Sequence, residues 1–177
     1  EESFSIVDGI IQDNPNHVEA LINRAIIFLS KGDKNKAVRD LEHAFELKPH
    51  LHQIWKILGS IYIEFSKYHE AADFFKKLIK REPSEASHFF SLASCLQCLG
   101  DLQSSIENYK KALKIKPSFI EAYINMGVAL KQKGDLDGAS RSFQKALSFK
   151  SDLAEAYYNL GLLSKDKNDL TSSFRNY

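Results

Sequence analysis

The chain has 177 residues, 44% of them hydrophobic and 27% charged, which are values of a folded protein and far from those of disordered segments. Its 24 Lys and Arg against 23 Asp and Glu give a formal net charge of +1, so no broad basic field exists to hold a nucleic-acid backbone. No apolar run approaches the roughly 18 residues that cross a bilayer, and no charged leader precedes an apolar stretch. Cys95 and Cys98 make no disulfide framework, which points to a reducing compartment and to the cytoplasm.

Pro15, Pro49, Pro83 and Pro117 are each 34 residues apart. A fixed period of this length marks a stacked helical repeat, in which every unit buries its apolar face against its neighbours. The first predicted element, over 1–17, is a helix from about Ser3 that closes a preceding unit at Pro15. Full units follow at 18–51, 52–85, 86–119 and 120–153, and a shortened one at 154–177. The chain opens at Glu1 without an initiator Met and stops in mid-pattern at Tyr177, which reads as a piece of a longer protein.

Each unit begins with a bulky residue, Leu21, Trp55, Phe89, Tyr123 or Tyr157, and four residues later has a small one, Ala25, Gly59, Ala93, Gly127 or Gly161. Phe28, Tyr62, Leu96 and Leu130 come three further on, with Ser164 in the last unit. These offsets share one helix face, and the small residue lets a neighbouring helix approach closely. A turn signal follows at Gly32-Asp33, Ser66-Lys67, Gly100-Asp101, Gly134-Asp135 and Asn168-Asp169. Glycine suits the left-handed end of a helix, and Asp caps the next one. A second helix then repeats Ala37, Ala71, Ser105, Ala139 and Ser173, followed by Leu41, Phe75, Tyr109, Phe143 and Tyr177. Ala44, Leu78, Ala112 and Ala146 come next, and proline closes the unit except at Ser151.

This pattern resembles the tetratricopeptide repeat over essentially the whole chain. The resemblance implies an all-α solenoid of antiparallel helix pairs in a right-handed superhelix, whose concave face is lined mainly by first helices. Arg24 at a usually apolar position, Ser66 for glycine, Leu78 for alanine and Ser151 for proline depart from the pattern.

By the same resemblance, the second, fifth, sixth, ninth, twelfth and thirteenth positions of each unit face a ligand. Asn23, Asn125 and Asn159 stand at the sixth, where an amide can grip a peptide backbone through both donor and acceptor. The fifth and ninth positions offer Ile22 and Ile26, Lys56, Phe90, Ile124 and Val128, and Tyr158 and Leu162, a partly apolar surface. Glu121 and Glu155 occupy second positions, where the helix dipole favours a carboxylate and a basic peptide would be attracted. The carboxylate clamp of co-chaperone repeats is missing, since its pattern starting at Lys56 continues as Ser60, Ser91, Glu121 and Asn125.

Lys76, Lys77, Lys80 and Arg81, like Lys110, Lys111, Lys114 and Lys116, gather late in second helices, where cations suit the carbonyl end; an acidic partner on the convex side is the other reading. Cys95 and Cys98 lie inside a helix without the second pair or strand that zinc or redox chemistry needs. No metal or cofactor is expected. The expected function is a non-catalytic scaffold that binds a peptide or helix. Two alternatives stand beside it: the substrate-docking arm of a larger enzyme resembling O-linked N-acetylglucosamine transferase, and a self-association module.

Overall fold

The computed structural model describes residues 2–175; the side chains of His52, Gln53, Lys56 and of 166–175 lie outside the description. Everything described is helix and short turn, ten helices among the described residues. Contacts group the chain into two compact units, one ending at Lys67 and one starting at Tyr68.

The first unit holds α1 (Glu2–Asp13), α2 (Val18–Ser30), α3 (Lys34–Leu47) and α4 (His52–Glu64), each packed on the next. Ala25, Ala37, Leu41 and Ala44 are fully buried between these helices. Arg24 replaces the usual apolar side chain with a charged one and meets two carboxylates. Its Nε and Nη2 donate to Asp40 on α3 at 2.7 and 2.8 Å, and its Nη1 donates to Asp8 on α1 at 2.7 Å. The hydrogen bond to Asp40 holds the guanidinium charged against the opposing cost of burial.

The second unit runs through α5 (Tyr68–Arg81), α6 (Ala86–Cys98), α7 (Leu102–Ile115), α8 (Ile120–Lys133), α9 (Leu136–Phe149) and α10 (Ala154–Arg175). Tyr109, Ala112, Ala139, Phe143 and Ala146 are completely buried. Gly127 supplies the closest approach, since a Cβ there would stand 2.6 Å from the Phe143 ring. Ser105 keeps the small-residue position by donating its hydroxyl to the Ala93 carbonyl at 2.8 Å. Leu78, in place of alanine, is accommodated with no exposure at all.

Four turns between paired helices share one geometry. The amides of Asp33, Lys67, Asp101 and Asp135 donate back to Phe28, Tyr62, Leu96 and Leu130 at 2.8–2.9 Å. Each turn has one left-handed residue, Gly32, Gly100 and Gly134 at φ of 76 to 90°, and Ser66 at 53°. This hydrogen bond satisfies carbonyls that the helix end leaves open. Asp33, Asp101 and Asp135 then cap the following helices by accepting from Lys36, Ser104 and Gly138 amides. Ser151 in place of proline changes little, because Lys150 still bonds back to Ala146 as Lys116 does to Ala112.

The turn expected at Asn168-Asp169 is a correction: α10 continues as helix through it to Arg175. That segment has no glycine to lower the cost of a left-handed residue, and continuing the helix keeps its backbone bonds made. Ser173 and Tyr177, read as packing positions of a further helix, fall outside the described side chains.

Candidate functional site

In the second unit the first helices α6, α8 and α10 touch one another in sequence. Their shared surface comes from positions that the repeat packing leaves over.

Glu121 and Glu155 are exposed in the first turns of α8 and α10. Val128 and Leu162 are half-buried at matching positions, and Tyr158 is 68% exposed. These residues lie on contacting helices. Asn125 and Asn159 are half-buried. Asn159 Nδ2 donates to the Glu155 carbonyl at 2.9 Å. Phe90 is half-buried as well, its ring 4.8 Å from Phe119 and 5.8 Å from Tyr109.

The sequence reading missed a polar relay beneath this surface. Tyr109 reaches from α7 with its ring fully buried, and its hydroxyl donates to Gln97 Oε1 at 3.0 Å and lies 3.1 Å from Ser94 Oγ. Gln97 Nε2 donates in turn to Gln132 Oε1 on α8 at 2.9 Å. Burial pushes the phenol above its ordinary pKa, so the hydroxyl stays a donor. The signal was present in the sequence: among Leu41, Phe75, Tyr109, Phe143 and Tyr177, only the two tyrosines have a hydroxyl.

In the first unit Asn23 is exposed on α2 and Ile26 is 44% exposed, while the Lys56 side chain lies outside the description. Ile22 and Ile124, expected to be partly exposed at fifth positions, are instead buried at 5% each. The fifth position flanks the packing stripe closely enough for a branched apolar chain to join the core. A separate cleft of about 510 Å³ lies at the turn edge of this unit, between the Gly32 and Ser66 turns, where Lys34 Nζ sits 3.4 Å from the Phe65 ring centre.

Of the two cysteines, Cys95 is buried with its thiol pushed up to about 11 by desolvation, and Cys98 is exposed. Among the described residues no group of three His, Cys, Asp or Glu is placed to hold a metal ion. None of the described helices is long and apolar enough to cross a membrane.

Comparison with known proteins matches two sequence families, one described as TPR repeat over residues 99–134 and 127–167, the other as tetratricopeptide repeat over 18–51 and 52–85. A curated relative, DnaJ homolog subfamily C member 3 from Bos taurus, is 31% identical over 84 residues, 48% of this chain and 17% of that protein. Among solved structures, MamA superposes with a TM-score of 0.71 at 28% identity, covering 84% of this chain and 86% of that one. YrrB, described as a TPR protein with an unusual peptide-binding site, has a TM-score of 0.68 at 23% identity over 92% of this chain and 84% of its own.

Proposed function

Because this chain belongs to the tetratricopeptide repeat family, we propose that it is a non-catalytic interaction scaffold that takes a peptide or helix on the first helices α6, α8 and α10. The observation that carries this reading is Tyr158, 68% exposed next to two half-buried apolar residues of contacting helices, Val128 and Leu162. An aromatic ring left in water is stabilised by a partner's apolar side chain, and tyrosine loses little entropy on docking. Glu121 and Glu155, on the same register, favour a segment with a basic residue beside its apolar anchor. The Asn159 amide can reach such a segment only by exchanging or sharing its bond to the Glu155 carbonyl. The amides therefore tune the contact, and Tyr158 carries it.

The test is capture of partners from a lysate, followed by titration of the recovered segment against three proteins. Wild type should bind, Tyr158→Ala should weaken binding about tenfold or more, and Asn125→Ala/Asn159→Ala should weaken it only severalfold. Unchanged affinity in Tyr158→Ala would remove this reading. A second reading rests on Gly161, which among the described residues has nothing within 4 Å of a Cβ, whereas the corresponding Gly127 is covered by Phe143. With Tyr157 58% exposed, this face of α10 suits another helix, from a further repeat or a second copy. Light scattering across concentrations tests the second copy, and a Tyr157→Glu variant should abolish any association seen.

A further inference from the structure

The second unit has a cleft of about 390 Å³ lined by α7, α8 and α9. Half-buried Tyr123 and the largely buried Met126 and Leu130 of α8 form its apolar part, and three cations, Lys110, Arg141 and Lys145, line its rim. The rim cations are exposed, and among the described residues none of them makes an ion pair; Lys145 Nζ lies 5.1 Å from the Phe149 ring centre. Asp135 is the acid of the lining, and its Oδ1 is occupied by the Gly138 amide at 2.8 Å.

Gly138 and Ser142 are buried in its α9 wall, with the Ser142 hydroxyl turned to the Gly138 carbonyl at 3.0 Å. One repeat earlier the same positions hold Ser104 and Asn108, whose amide bonds the Ser104 carbonyl at 2.8 Å, and Glu107 stands where Arg141 does. The earlier repeat thus has bulkier residues and the opposite charge at corresponding positions. Exposed Lys77, Lys80, Lys111 and Lys114 extend the cationic surface along α5 and α7.

We propose that this cleft is a second docking site, for an acidic polypeptide segment that inserts one large apolar side chain against Met126 and Leu130 while flanking carboxylates meet Lys110, Arg141 and Lys145. Unpaired cations around an apolar floor match that chemistry, and the volume suits a single side chain with its adjoining backbone. The site lies among α7, α8 and α9 and stands independently of the function proposed above.

The probe is a blocked pentapeptide, Asp-Glu-Leu-Glu-Asp, titrated against the isotopically labelled chain. Chemical shifts should move at the Met126 methyl and at the amides of residues 138–145, and binding should weaken as salt is raised. Replacing the peptide's leucine with alanine should weaken binding about fivefold or more. Arg141→Glu should weaken it about tenfold or more, and Ser142→Asn should block the anchor. Both variants import residues that the preceding repeat already tolerates, so their folding can be matched to wild type by circular dichroism. Equal affinity in either variant, equal affinity of the alanine peptide, shifts confined to α6 and α10, or decanoate binding as tightly as the peptide would each overturn the proposal. Tyr158→Ala should leave this titration unchanged, which separates its failure from that of the first-helix surface.

Discussion

Gly127 and Gly161 occupy the same repeat position in different surroundings, and substituting each with alanine isolates one contact. At Gly127 a Cβ would meet three carbons of the Phe143 ring at 2.6, 2.7 and 3.0 Å, about 1 Å inside the usual carbon–carbon separation. Phe143 is fully buried and cannot swing into solvent, so the overlap has to be relieved by off-rotamer side chains or by separating α8 from α9. Such overpacking costs about 1–3 kcal/mol. Helix propensity works the other way, alanine being better than glycine by about 1 kcal/mol in a helix interior. Gly127→Ala should therefore range from neutral to about 2 kcal/mol destabilising. At Gly161 nothing among the described residues lies within 4 Å, so only the propensity gain remains and stability should rise by up to about 1 kcal/mol. The difference between the variants, about 1–3 kcal/mol, is the packing cost with the propensity cancelled. Urea unfolding followed at 222 nm would measure it, and native-state hydrogen exchange would assign each change to α8–α9 or to α10. Equal stabilisation by both substitutions would refute the close approach of Gly127 to Phe143.

Removing Arg24 should strand the largely buried Asp40, whose side chain is 10% exposed. Arg24→Met alone is expected to cost about 3 kcal/mol in urea unfolding, and Arg24→Met/Asp40→Leu to recover most of it; additive losses would show that the pair is not coupled. The Asp33 and Asp101 carboxyls lie below their ordinary value of 3.8, held there first by hydrogen bonds to the Lys36 and Ser104 side chains and then by those residues' backbone amides. A carboxyl lowered on folding adds stability that is fully present above its unfolded value and disappears as pH falls through the folded one. Asp33→Asn/Asp101→Asn should accordingly flatten the acid loss of stability below about pH 4, read from urea midpoints across pH.

The repeat was legible because its defining positions are set by packing alone. Ala25, Ala37, Ala44, Ala93 and Ala139 are fully buried as their spacing requires, and the Gly32, Gly100 and Gly134 turns have the left-handed geometry expected of glycine. Ser66 was legible only as a departure, and it adopts the same turn because the Lys67–Tyr62 hydrogen bond is made regardless of its side chain. Ile22 and Ile124 misled because a position beside the packing stripe is buried or exposed according to how neighbouring helices tilt, which one unit's sequence does not encode. The amide of Asn159 was legible as a hydrogen-bonding group, but not its bond to the Glu155 carbonyl one turn back, which only the folded helix brings within reach. The cleft between α7, α8 and α9 joins residues of three helices, and that juxtaposition has no pattern within one unit.

The relay from Ser94 through Tyr109 and Gln97 to Gln132 has a consequence for recognition. Side chains that normally wander among many rotamers are tethered there before any visitor arrives, and part of the disorder that association would have to remove is already gone. Docking over this stretch should therefore involve little reshaping of the receptor, while the ring anchored in the interior ties local cohesion to surface recognition: loosening Tyr109 would slacken both together.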